Sequence, residues 1–213
     1  MISRKVTKPL LRGYFHEWMF FISVGACIPL IANSSNSIEL ASTIIYSIGV
    51  CMMFGFSALY HRVDWRSRVL IIMRRLDHSA IFVMIAGSFT PICLLVLPGN
   101  TGIQLLFIIW TIAGIGILQT VLFTETPRLI RAGIYLVAGY MAIPYLSVMF
   151  SVMSMTNFIL TAASGTIYTV GAIGYGFQFP DISPKYFGYH EFFHILVSIA
   201  AVLHFIVIYS IVG

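Results

Sequence analysis

Long runs of apolar residues, each separated from the next by a short polar segment, dominate the pattern along this chain. Seven runs approach the roughly 20 residues that a helix needs to cross the hydrocarbon core of a bilayer. The intervening segments are rich in Gly, Pro, Asn and Ser, which favour turns. The pattern predicts seven spanning helices, at about residues 14–33, 38–61, 76–97, 103–123, 129–150, 158–177 and 187–211.

Continuous apolar runs favour helices over a membrane β-barrel, whose strands alternate apolar and polar residues. The composition agrees, since 59% of the residues are hydrophobic and only 9% are charged. Soluble domains carry about 25% charged residues. The sequence therefore predicts an all-α membrane protein, in which residues 1–213 form a single domain, a bundle of seven transmembrane helices.

The positively charged residues predict the orientation of this bundle. All 12 Lys and Arg lie before the first run or near the junctions between runs two and three, four and five, and six and seven. Cytoplasmic loops carry the excess of Lys and Arg, so the N-terminus is expected inside and the C-terminus outside. The net charge of +5 is then explained by topology, and no nucleic-acid partner is expected. Short loops and compactness fit a multi-pass protein of a bacterial inner membrane.

Five polar residues fall near the cytoplasmic ends of three predicted spans. They are Ser57, His61, Asp77, His190 and His194. Within each of the two pairs that share a span, the residues are four apart and therefore lie on one helix face. Ionisable groups inside a membrane are costly and mark functional sites. Their common depth predicts one site.

Zinc suits this set of residues. A catalytic zinc takes three protein ligands and keeps one position open, and His61, His190 and His194 would supply three imidazoles. Zinc makes a water reactive at neutral pH. Asp77 would orient that water and accept its proton, while Ser57 would contact the water or the substrate. Three imidazoles also accept other divalent ions, so the identity of the metal is an expectation.

Three further histidines are expected to have other roles. His16 and His78 are interpreted as residues of the membrane interface at helix ends. His204 follows His194 by ten residues, which places it about 15 Å deeper by helical rise. We therefore expect His204 to make a structural hydrogen bond.

Four segments resemble the hemolysin III family, the bacterial branch related to the progestin and adipoQ receptors. They are SALYHR, RRLDHSAIFVMIAGSFTP, GTIYTVGAIGY and HEFFHILVSIAAVLHF. The resemblance implies seven helices, a cytoplasmic N-terminus, and a zinc bound by His61, His190 and His194, with Asp77 and Ser57 around its water. Related receptors are linked to the hydrolysis of lipid amides such as ceramides, and the superfamily includes alkaline ceramidases.

The first span departs from the pattern of that family. Its members commonly show an acidic pair, then Asn, then Ser-His, whereas this chain reads HEWMFFISVG. Glu17 and Ser23 remain, but Phe20 and Val24 replace the Asn and the His. The departure leaves the role of span one open and does not affect the predicted zinc ligands.

Residues 190–194 also read H-E-x-x-H, which on a helix is typical of zinc metalloproteases with the glutamate as general base. In the resembling family the residue after the first His is not an essential acid, so Glu191 is interpreted as incidental. A protease would need a further ligand, for which Asp77 is a candidate. A zinc metalloprotease is therefore an alternative to the hydrolase described below.

Three classes of function follow from these observations. The favoured one is a zinc-dependent hydrolase acting on a membrane lipid amide or ester. The second is a non-enzymatic receptor or regulator of membrane composition with a structural zinc. The third is a cytolytic pore-forming protein, as the family name suggests, although the chain shows no amphipathic pore-lining stripe. Membrane lipid is the expected partner in the first class.

Overall fold

The computed structural model of the protein describes residues 9–183 and 185–213. Arg4, Lys5 and Lys8, on which part of the orientation argument rests, lie outside these residues. The helices are α1 Tyr14–Ala32, α2 Ser37–Arg62, α3 Ser67–Pro91, α4 Gly99–Leu122, α5 Arg128–Tyr140, α6 Leu146–Val152, α7 Met155–Phe177 and α8 Tyr189–Ser210. A π-helical turn at Ile92–Val96 continues α3, and a 3₁₀ turn at Ile143–Tyr145 joins α5 to α6.

These elements form seven helical segments that are long and apolar enough to cross a membrane. The segment Arg128–Val152 combines α5 and α6, and it breaks at a short 3₁₀ turn that contains Pro144. Proline has no backbone N–H for the helical ladder, which explains a break at this position. The predicted all-α bundle of seven spans is confirmed.

The largest difference from the predicted bounds is at the third span. Helix α3 begins at Ser67, nine residues before the expected start at 76, and so includes Arg68, Arg74 and Arg75. The charged residues marked the end of the apolar run, but a helix can extend beyond the hydrocarbon core. As a result, Asp77 lies more than two turns inside α3 and is held on a regular helix.

The core of the bundle lies between α2 and α3, with α1, α4 and α8 around it. Gly49 and Gly87 allow the close approach of these two helices, because a Cβ at Gly49 would lie 3.0 Å from the carbonyl oxygen of Val83. Such small residues are typical of membrane helix contacts. Large side chains such as Phe107, which is 74% exposed, face outward, where a bilayer would surround them.

Candidate metal centre

Three histidines from two helices meet at one end of the bundle. His61 comes from the last turn of α2, whereas His190 and His194 lie one turn apart at the start of α8. One ring nitrogen from each lies within 4.8 Å of the others. The Nε2 atoms of His61 and His190 are 3.0 Å apart, and His194 is buried. The structure thus brings together the three predicted ligands, of which His61 is far in sequence from the other two.

The donor set fits a zinc ion. Imidazole nitrogens bind zinc at about 2.0–2.1 Å, and three such ligands leave a fourth position open. The Nδ1 atom of His194 is buried and has no hydrogen-bond partner among the residues that the structure describes. A buried polar atom without a partner costs about 1–3 kcal/mol. Coordination in this cluster is one way to offset such a cost.

Asp77 and Ser57 lie beside the histidines. Both are buried, on α3 and α2 respectively, and the Asp77 carboxylate interacts with the Ser57 hydroxyl and with His61. Oδ2 of Asp77 is also 3.3 Å from Nδ1 of His78. A carboxylate in this position can orient a water and receive its proton.

His78 was expected to be a residue of the membrane interface, but it belongs to the hydrogen-bond network of the site. Its Nδ1 lies 2.7 Å from the carbonyl oxygen of Arg74, and its Nε2 accepts a hydrogen bond from Arg131. A carbonyl only accepts and a guanidinium only donates, so these two partners suit a ring that carries its hydrogen on Nδ1. His78 therefore connects Arg131 on α5 to the surroundings of Asp77.

His16 on α1 is a site residue that the sequence interpretation missed. It was expected at the membrane interface, yet it is 2% exposed, and its ring stacks on His194 with centroids 3.7 Å apart. Its Nδ1 lies 2.8 Å from Oγ of Ser57. Its predicted depth could have identified it from the sequence, because His16 lies near the cytoplasmic end of span one, level with the other histidines. Span one therefore contributes to the site through a residue other than those of the family pattern.

Glu191 has a structural role at the start of α8. Its Oε2 accepts a hydrogen bond of 2.8 Å from the backbone N–H of Gly188, and its Oε1 accepts one from Arg12. Both oxygens are thus engaged, the residue is fully buried, and it is not among the residues that line the cavity described below. These contacts do not favour the general-base role that the H-E-x-x-H spacing alone would predict.

Replacing Glu191 with Gln should therefore lower stability without removing a metal. Breaking a buried ion pair costs up to about 3–5 kcal/mol, and the partial exposure of Arg12 places the expected loss near the lower end. Thermal unfolding in detergent measures the loss, and elemental analysis measures the metal. A variant with unchanged unfolding but no metal would instead place Glu191 in the metal centre.

Gly13 packs directly against His61. It has a φ of +85°, and an added Cβ would lie 2.8 Å from Cβ of His61. Gly13→Ala should therefore strain the backbone, displace His61 and weaken zinc binding by about tenfold or more, as disturbing supporting residues commonly does. Gly25→Ala on the same helix meets nothing within 4 Å and is the matched control. Competition with a zinc chelator measures both affinities, and equal values would refute the effect.

A cavity of about 540 Å³ extends from the histidines between the helices of the bundle. Its polar end is lined by Asp77 and the three histidines, and its walls are mostly apolar side chains of α3, α5 and α7, such as Ile81, Leu136 and Tyr168. It extends to His204, whose Nε2 donates a hydrogen bond of 3.1 Å to the carbonyl oxygen of Ser88. This bond agrees with the structural role expected for His204. The volume is that of a small-molecule site.

Comparisons with known proteins agree with this architecture. The model of the family "Haemolysin-III related" matches residues 4–205. The hemolysin-3 homolog of Bacillus subtilis is 30% identical over 173 residues, which cover 80% of this chain and 81% of the relative. Hemolysin-3 of Bacillus cereus is 30% identical over 177 residues, 81% of this chain and 80% of the relative.

More distant relatives are animal proteins. The human monocyte to macrophage differentiation factor is 26% identical over 204 residues, 92% of this chain and 81% of the relative. The Drosophila melanogaster adiponectin receptor protein is 27% identical over 203 residues, 85% of this chain and 46% of the relative. The seven apolar helices and the Bacillus relatives indicate that the chain is a multi-pass protein of a bacterial plasma membrane. It belongs to the haemolysin-III-related family.

Proposed function

We propose that the protein is a zinc-dependent hydrolase of a membrane lipid ester or amide. The observation that carries this proposal is the position of the histidines and Asp77 at the polar end of an apolar cavity of about 540 Å³. A hydrolytic site that acts on lipids must hold an acyl chain next to a reactive polar centre. The cavity offers apolar walls for the chain and titratable groups at one end.

Each polar residue has a distinct part in this proposal. His61, His190 and His194 would hold the ion, which when bound supplies Lewis-acid chemistry and a reactive nucleophile at neutral pH. Asp77 would orient the attacking water and accept its proton. Ser57, whose Oγ lies 2.8 Å from Nδ1 of His16, would donate its hydroxyl hydrogen to the Asp77 carboxylate and thus hold it in position. The mostly apolar walls would disfavour water in the remainder of the cavity.

A structural role for the metal is the second candidate, and the packing of the helices supports it. α2 packs mainly on α1 and α3, whereas α8 packs mainly on α7. The three histidines therefore connect α2 with α8, two helices that pack mainly on other neighbours. This alternative predicts that removal of the metal unfolds the protein, because metal binding would then be part of the folding free energy.

A lipid-hydrolysis screen tests the proposal. Metal-replete protein in mixed micelles would be incubated with a membrane lipid extract, and released fatty acids would be measured by mass spectrometry. We expect release that stops when zinc is chelated and returns when zinc is added. If no lipid is consumed, and chelation abolishes cooperative unfolding, the structural candidate replaces the enzymatic one.

A further inference from the structure

Two arginines at the start of α5 line the cavity without a carboxylate partner. Arg128 donates a hydrogen bond of 2.6 Å to the hydroxyl of Tyr189, and Arg131 donates to His78 and to the carbonyl oxygen of Thr126. Throughout residues 9–183 and 185–213, no carboxylate forms an ion pair with either arginine. Hydroxyl, carbonyl and imidazole groups hold both guanidinium groups in place, and none of the described carboxylates contacts either one directly.

Four other arginines of the cytoplasmic side differ from this pair. Arg12 and Arg74 also line the cavity, but each forms an ion pair with a glutamate. Arg66 and Arg68 lie on the exposed start of α3. Orientation in the membrane requires positive charge on this side, but it does not require two arginines in the wall of a cavity. The position of Arg128 and Arg131 therefore needs a further explanation.

Their arrangement on α5 is unfavourable unless an anion is bound. They are three residues apart, so they share one helix face, where like charges repel each other. Both are also half-buried, which removes part of the water that would otherwise stabilise them. Each guanidinium has five N–H groups. With its amide oxygen turned toward Arg128, Gln178 also accepts from that guanidinium, and some N–H groups of both arginines are still unused. The remaining N–H groups are suited to the oxygens of an anion.

We propose that Arg128 and Arg131 bind the phosphate of a lipid headgroup, so that the lipid taken by this cavity is an acyl lipid with a phosphate-containing headgroup. Two guanidinium groups at different positions suit a tetrahedral phosphate, which presents oxygens in several directions. The helix end lies where headgroups meet the cytoplasm in the predicted orientation.

The distance to the metal centre supports the same class of lipid. Arg131 contacts His78, and His78 lies 3.3 Å from the Asp77 carboxylate. A phosphate at the arginines would thus be about one side chain away from Asp77. In an acyl phospholipid only a few bonds separate the phosphate from the acyl carbonyl. Describing this lipid as the substrate rests on the proposed function, whereas its binding does not.

Binding in the absence of turnover tests this inference. Purified protein in neutral detergent would be titrated with short-chain phosphatidic acid, with the diacylglycerol of the same chains, and with inorganic phosphate. We expect phosphatidic acid to bind at least about tenfold more tightly than diacylglycerol, since hydrogen bonds to charged groups are the strong ones. Arg128→Gln/Arg131→Gln should lose this preference, and the matched Arg66→Gln/Arg68→Gln should keep it. If the first double variant does not fold, Arg128→Gln alone is expected to weaken the preference.

The inference would be overturned by equal binding of the two lipids, by an unchanged preference in the α5 variants, or by an equal loss in both double variants, which would indicate general surface charge. Inorganic phosphate that binds as tightly as phosphatidic acid would exclude a lipid headgroup as the source. Selective binding without any hydrolysis would contradict the proposed function and support the headgroup site. Hydrolysis of neutral lipid without a preference for phosphatidic acid would support the proposed function and contradict the headgroup site.

Discussion

Replacing His190 with alanine is expected to abolish stoichiometric zinc binding. The native protein should carry about one zinc per chain, because three imidazole nitrogens lie within 4.8 Å of one another. With two imidazoles left, we expect the affinity to fall by more than about 100-fold, beyond the 10–100-fold typical of losing a supporting residue. His61→Ala and His194→Ala should have the same effect. Elemental analysis of detergent-purified protein measures the metal content.

His204→Ala is the matched control for these variants. His204 is also a buried histidine, it lines the same cavity, and it lies on the same helix as His190. It hydrogen-bonds to Ser88 and takes no part in the cluster of three imidazoles. Its replacement should lower stability and leave the zinc in place. Folded His190→Ala protein with a full complement of zinc, or equal loss of zinc in His204→Ala, would refute the assignment of the ligands.

Replacing Asp77 with asparagine is expected to separate metal binding from hydrolysis. Asparagine has nearly the same shape, so the zinc content and the fold should be retained. The neutral amide cannot accept a proton as the carboxylate does, and general-base catalysis typically contributes about 10²–10⁴-fold to a rate. We expect the rate of fatty-acid release to fall by that factor. Initial rates with metal-replete protein measure it.

Glu191→Gln is the control for the loss of a buried carboxylate. Because Glu191 is bound to Gly188 and Arg12, its replacement should cost stability but not hydrolysis when measured below the unfolding temperature. The opposite result, in which Asp77→Asn keeps the native rate and Glu191→Gln loses it, would favour metalloprotease-like chemistry. Equal loss in both variants would indicate a general disturbance of this end of the bundle.

The architecture could be predicted from the sequence because the bilayer imposes a length on every spanning segment. Uninterrupted apolar runs of that length predicted the seven spanning segments. The start of α3 was predicted wrongly, because the helix begins before the apolar run does. The meeting of His61 with His190 and His194 could also be anticipated. Once the alternation of spans is known, residues near corresponding ends must lie at one depth.

The rest of the site depends on how each helix is rotated about its own axis. The depth of a residue in the membrane does not determine that rotation. His16 was at the correct depth, but only the packing of α1 on α2 and α8 shows that its ring faces His194. In the same way, Arg131 was interpreted as a residue that sets the orientation. Its contact with His78 arises because α5 packs beside α3. The cavity itself results from the separation of whole helices, for which no short sequence motif exists.

X-ray absorption at the zinc edge tests the central claim most directly. Protein purified without added metal would be measured for the kind, number and distance of the atoms around zinc. The three histidines predict three nitrogen neighbours of imidazole type at about 2.0–2.1 Å and one further light atom. Protein that contains no zinc or other divalent metal, or zinc surrounded mainly by oxygen, would contradict the account.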